Sequence, residues 1–219
     1  MATIDPTAVD QKDRGEVRYA QLHHINFITT RKDEMRDWYR TVFDMDTSLD
    51  GPFGCWITND RANHRIALTV LPHVQPDPDW RDHARLHHAA FEYASFDDLM
   101  DTYRRLRDLG IVPKACLDHG MTTSLYYTDP DGNYVELQCD NFGDWDQSKA
   151  YMRDSLPFAE NPIGAFFDPD KMYEAYKNGT PHREILRQIW DSDDFRPAEF
   201  PDMGAPEPRP GDPPMPAKY

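Results

Sequence analysis

Leu22-His23-His24-Ile25-Asn26-Phe27 and, 64 residues later, Leu86-His87-His88-Ala89-Ala90-Phe91 are two copies of one stretch, and their reading decides the fold. At the same offset Asp33 meets Asp97, Tyr39 meets Tyr103 and Arg40 meets Arg104. Duplication of this kind implies two similar units arranged about a shared site. Each copy carries branched and aromatic side chains and reads as a strand. In the first unit Thr30 is the expected N-cap, and Met35, Trp38, Tyr39, Val42 and Met45 recur at helical spacing. In the second, Ser95 with Asp98 three residues on is the expected cap, and Gly110 ends the helix.

Apolar runs at 53–58 and 64–71 predict two strands around the turn-prone Asn59-Asp60. Runs near 113–118, 122–128 and 133–138 predict three more, with Asp129-Pro130-Asp131-Gly132 as the last turn. Each unit is then β-α-β-β-β, the first unit's second strand being weakly marked. The expected fold is α+β: two tandem modules, 20–75 and 84–140, forming a curved sheet around a metal site. Residues 1–19 read as a polar arm and 141–219 as an irregular, partly helical extension.

Strand alternation separates the paired histidines. His24 and Asn26 share one face, His88, Ala90 and Glu92 another, and Tyr134, Glu136 and Gln138 a third, each opposite the bulky apolar set. With the apolar sets against the helices, His24, His88 and Glu136 point together into the space the sheets enclose. His23 and His87 are expected on the helix side. A lone strand histidine is usually structural; two at equivalent points of a repeat shift that balance toward ligands. Two histidines and one carboxylate form the donor set of non-haem Fe(II) oxygenases, and Mn(II) accepts the same donors. Asp129 and Asp131 read as turn formers.

Four motifs, Leu22–Phe27, Asn63-His64-Arg65-Ile66-Ala67-Leu68, Arg85–Glu92, and Asp118-His119-Gly120 through Tyr126 to Glu136, resemble the vicinal oxygen chelate superfamily. Within it they resemble the type I extradiol ring-cleaving dioxygenases of the short single-domain type, which cleave catechols and dihydroxybiphenyls. The resemblance covers residues 20–140. It implies His24, His88 and Glu136 as metal ligands, His64 as the acid–base residue, and His119 and Tyr126 as supporting catalytic groups, with no organic cofactor. The 69–85 loop is longer than that pattern and the His119–Tyr126 interval shorter, which leaves His73 and His119 competing for one role. Glyoxalase-like isomerases, lyases and thiol transferases of the superfamily use a fourth ligand, a glutamate from the first unit. Counting back 64 residues from Glu136 reaches Pro72, and no glutamate lies between Glu34 and Glu92. Three protein ligands leave room for substrate and oxygen, which favours the oxygenase over an isomerase or a metal-free binding protein.

A net charge of −15 argues against nucleic acid or an anionic membrane as partner. No apolar run approaches the length of a membrane span, and the N-terminus lacks the pattern of a signal peptide. Cys55, Cys116 and Cys139 are too few for a disulfide frame, so a reduced cytoplasmic protein is expected. The expected partners are a catecholic small molecule and O2. Beyond 140, Asp168–Tyr176 and Arg183–Trp190 read as short helices, and eight prolines follow from Pro197. The apolar residues between Phe158 and Trp190 are too many to leave in water, so 140–190 should pack on the repeats or on a neighbour in a homo-oligomer, with the mobile part starting near 195. Arg85, Trp80 and the 72–85 loop are candidates for shaping the pocket.

Overall fold

The computed structural model describes residues 20–206, 209–211 and 217–218; the expected arm at 1–19 lies outside them. The first unit runs β1 (Ile25–Thr29), α1 (Lys32–Phe43), β2 (Asp46–Gly51), β3 (Gly54–Thr58) and β4 (Ile66–Val70). The second runs β5 (His88–Tyr93), α2 (Phe96–Asp108), β6 (Ala115–Asp118), β7 (Thr122–Thr128) and β8 (Tyr134–Asp140). In each, the closing strand returns beside the opening one in parallel, giving the orders β1-β4-β3-β2 and β5-β8-β7-β6. The tandem βαβββ plan is therefore observed, in two hydrogen-bonded sheets. The extension contributes α3 (Trp145–Asp154), α4 (Leu156–Glu160), β9 (Gly164–Phe166), α5 (Pro169–Lys177), α6 (His182–Asp191) and β10 (Ala217–Lys218), and β9 and β10 widen the second sheet to six strands.

One apolar core lies on the helix side of both sheets. It joins Met35, Tyr39 and Val42 of α1 to Leu99, Met100, Tyr103 and Leu106 of α2, and to Leu125, Val135 and Leu137 beneath. Phe43 and Phe91 seal the junction, their rings 4.1 Å apart. The three cysteines sit in this core with at most 2% exposure. Ile25, Phe27, Phe91 and Tyr93 face it, so Asn26, Ala90 and Glu92 face the other way, as alternation requires.

The Ser95 hydroxyl accepts from the Asp98 amide at 3.1 Å, and Gly110 follows α2 at φ +78. In the first unit the cap position is Arg31, not Thr30; the Thr29 hydroxyl accepts from the Arg31 amide at 2.8 Å, moving the turn back one residue. Asp129 accepts the amides of Asp131 and Asn133 and the Tyr39 hydroxyl, so it forms the turn and ties it to α1. Edge strand β2 exposes Asp46 through Asp50, so it carries no apolar alternation.

The residues expected to be mobile from 195 have packing and hydrogen-bond partners as far as Gly204. Phe195 is buried, its carbonyl accepts from the Asp168 amide at 2.7 Å, and the chain to Gly204 stays on the second sheet. Asp202 pairs with both amino groups of Arg81, and the Asp202 carbonyl accepts from the Tyr134 hydroxyl at 3.0 Å. These bonds replace contacts with water at a modest net gain each and, with the buried Phe195 ring, hold this proline-rich strap against the sheet.

Candidate active site

Glu136 lies on β8, one strand in from the edge, where Ala90 of β5 pairs with it and Tyr126 of β7 lies opposite. Parity turns its side chain from the core to the open face, and it is 5% exposed. His88 opens β5 on that face, its Nε2 3.0 Å from Glu136 Oε2. The Tyr126 hydroxyl donates to Glu136 Oε1 at 2.9 Å, and His119 Nε2 lies 2.9 Å from the same hydroxyl. His119 Nδ1 donates to the Ile163 carbonyl at 2.5 Å. In a neutral ring that leaves Nε2 as an acceptor, so the one phenol proton has two takers, Glu136 and His119. Burial and then the Glu136 charge raise the Tyr126 pKa far above its ordinary value, so the phenol stays protonated. Burial alone would raise Glu136, but hydrogen bonds from His88, Ser124 and Tyr126 hold the carboxyl below its usual range.

A second cluster forms at the start of the first unit. His23 and His24 touch through their Nδ1 atoms at 3.1 Å, and the His64 ring lies 4.4 Å from His24 and 5.5 Å from His23. Among the described residues these three are the one group of histidine, cysteine or carboxylate donors whose ligand atoms all lie within 4.8 Å. The His64 pKa is lowered by burial and by the neighbouring His24 and His23, so the ring is a neutral base near pH 7.

The structure thus brings together His88, Glu136, Tyr126 and His119, and separately His23, His24 and His64; the set His24, His88 and Glu136 does not close to 4.8 Å. His24 precedes β1 by one residue and is exposed, so no ladder fixes its backbone. For the same reason parity does not govern His23 and His87, and neither lies on the helix side as expected. His23 is exposed, while His87 stacks on Tyr134 at 5.4 Å and bonds the Met203 carbonyl at 2.7 Å. His73 is exposed and stands in neither cluster.

The donor chemistry suits a divalent ion. Two ligands about 2.1 Å from one ion and at right angles to it are about 3 Å apart, which matches His88 and Glu136. The first unit's counterpart of Glu136 is Ala67, not Pro72. Asn26 pairs with Ala67 as Ala90 pairs with Glu136, and unequal loops shift the repeat beyond its first strand and helix. Ala67 offers no ligand, so no fourth carboxylate stands at that point.

Beside Glu136, Tyr126 and His119 lies a cavity of about 510 Å³, roofed by α3. The helix seats over the His119-Gly120 turn: Gly120 has φ +85, and a Cβ there would lie 2.3 Å from the Tyr151 hydroxyl. Arg85 and Trp80 belong instead to the strap side, the guanidinium 4.3 Å over the indole and bonded to the Gly204 carbonyl. Sequence reasoning missed Ile163, which acts through its backbone, and the whole of α3, whose Asp144 N-cap before Asp146 and Gln147 was the available signal.

A family model described as Glyoxalase/Bleomycin resistance protein/Dioxygenase superfamily matches residues 21–137. Biphenyl-2,3-diol 1,2-dioxygenase 2 of Rhodococcus globerulus is 42% identical over 167 residues, 76% of this chain and 87% of the relative. Biphenyl-2,3-diol 1,2-dioxygenase 3 of the same organism is 38% identical over 170 residues, 78% of this chain and 89% of the relative. Among solved structures, a glyoxylase/bleomycin resistance protein/dioxygenase domain from Frankia sp. EAN1pec aligns at TM-score 0.49 and 18% identity, covering 58% of this chain and 96% of that one. With a family model spanning both repeats and relatives matched over most of their length, the chain belongs to the glyoxalase/bleomycin resistance protein/dioxygenase superfamily.

Proposed function

We propose that this protein is an Fe(II)-dependent extradiol dioxygenase that opens the ring of a catecholic substrate with O2. The observation that carries the reading is the 42% identity to a biphenyl-2,3-diol 1,2-dioxygenase over 87% of that relative's length. His88 and Glu136, with His24 as third ligand, are the proposed iron donors; Mn(II) is the ion the same donors would also accept. Iron bound there would give both diol oxygens and dioxygen a common point of attachment and a path for electrons between them.

The chain's own groups do the rest. His64, neutral at the outset and with its ring 4.4 Å from that of His24, is the proposed group to take up and return a proton. Tyr126, kept protonated, donates a hydrogen bond toward Glu136 and can re-aim it toward a substrate oxygen. His119, held by the Ile163 carbonyl, offers the phenol proton its alternative acceptor. Ala67 in place of a fourth carboxylate disfavours the glyoxalase-like alternative. The buried reduced cysteines fit a cytoplasmic setting, and exposed Phe142 and Leu156 fit a homo-oligomer.

The test is anaerobic purification and metal analysis, followed by oxygen uptake on biphenyl-2,3-diol and catechol. About one iron per chain and a ring-opened product carrying both atoms of labelled O2 are expected. Protein that holds no iron and consumes no oxygen with any catechol overturns the reading.

A further inference from the structure

The cavity beside Glu136 has two unlike kinds of lining: Glu136, Tyr126 and His119 are polar, and Met121, Met152 and Trp145 are largely apolar. The Trp145 indole is 66% exposed yet held in place, its Nε1 donating to Glu92 Oε1 at 2.8 Å. Two thioethers and an immobilised indole are adaptable apolar partners for an aromatic face. Glu92 and Asp140 also border the cavity, against one cation, Lys149, which already pairs with Asp146 at 2.8 Å.

We propose that α3 of the extension is the specificity wall of the site, in which Trp145, Met121 and Met152 receive an uncharged aryl substituent next to the diol. Glu92 and Asp140 reject substrates carrying a carboxylate there. The proposal rests on the ring-cleavage reading and deepens it. A diol held beside Glu136 has Trp145 and Met152 of α3 in the lining of the same cavity to receive its ring substituent. A carboxylate in that position meets two fixed negative charges with no unpaired ammonium to offset them, whereas a phenyl group displaces water from thioether and indole surface. Trp145 is a specificity residue here and takes no part in bond breaking.

The experiment compares catechol, 3-methylcatechol, biphenyl-2,3-diol and 2,3-dihydroxybenzoate as substrates of the iron-loaded enzyme. Trp145→Ala is expected to raise KM for biphenyl-2,3-diol roughly tenfold, the scale of one lost aromatic contact, with kcat little changed. KM for catechol and 3-methylcatechol should stay within about twofold, and Trp145→Phe should restore most of the loss. Glu92→Gln, which keeps an acceptor for the indole, should raise kcat/KM for the carboxylated diol. Anaerobic titration with biphenyl-2,3-diol gives a second readout: tryptophan fluorescence quenching should shrink in Trp145→Phe. Equal KM changes for all four diols, or none for the phenyl-substituted one, overturn the wall while leaving ring cleavage intact. Absence of turnover with every diol overturns ring cleavage itself and the wall with it.

Discussion

Adjacent histidines with different tasks offer the sharpest test at the scale of single residues. His24→Ala, His88→Ala and Glu136→Ala should each lose iron, whereas His23→Ala should keep it; metal content by mass spectrometry after anaerobic purification decides. An emptied site in His23→Ala with iron retained in His24→Ala would reverse the assignment and favour the His23–His64 side of the cluster. His64→Phe should retain iron and bind the diol, yet turn over about 2–4 orders of magnitude more slowly, since it removes proton transfer and not coordination. Single-turnover kinetics check this, and near-normal turnover would hand the role to another histidine. The second unit's site was legible because strand parity alone orients His88 and Glu136. The first unit's was less so, since His23 and His24 lie before any ladder begins.

At the scale of elements, α6 carries a titrating group whose sign can be worked out. His182 stacks on Phe96 with ring centroids 3.7 Å apart, and its Nε2 lies 3.2 Å from the Thr123 hydroxyl. Burial outweighs the attraction of Asp97 and lowers its pKa to about 4. The unfolded chain binds that proton near pH 6.5. Above pH ~6.5 neither state is protonated and the contribution is whole; between about 6.5 and 4 only the unfolded state gains the proton, so stability falls with pH. The loss is at most about 3 kcal/mol. Urea denaturation at pH 7 and pH 5 should show a smaller pH effect in His182→Gln than in the parent. Helices α5 and α6 were legible from apolar spacing. The seating of α6 was not, because it rests on pairings distant in sequence, such as the Trp190 indole donating to buried Asp118 at 2.5 Å.

For the whole molecule, the repeat explains both what is shared and what has diverged. Tyr39 and Tyr103 occupy equivalent helical positions, yet Tyr39 bonds Asp129 of the second unit while Tyr103 bonds Asp170 of the extension at 2.8 Å. The extension therefore fills, on the second unit, a place that the second unit fills on the first. A repeat reveals equivalent positions but not which partner meets each, so the fact that 140–190 packs was legible while the partners of 140–206 were not. A chain ending at 206 loses the short strand β10 and the exposed Arg209–Asp82 pair, so its melting temperature should fall only slightly. One ending at 195 should melt several degrees lower, because it frees Arg81, Arg85, His87 and Tyr134 from the strap. One ending at 145 should aggregate, and a soluble, active 1–145 fragment would show the extension to be dispensable.

The three buried thiols give this molecule an internal clock. Cys55 lies on β3 of the first unit, and Cys116 and Cys139 lie on β6 and β8 of the second, all in the shared core, and burial raises the pKa of each, Cys139 to about 12. A thiol reacts as its thiolate, so none should react with a disulfide reagent until its unit opens. Labelling rates at Cys55 against Cys116 and Cys139 would time the opening of the two repeats separately. Oxidative damage during oxygen chemistry should likewise mark only those molecules that have already come apart.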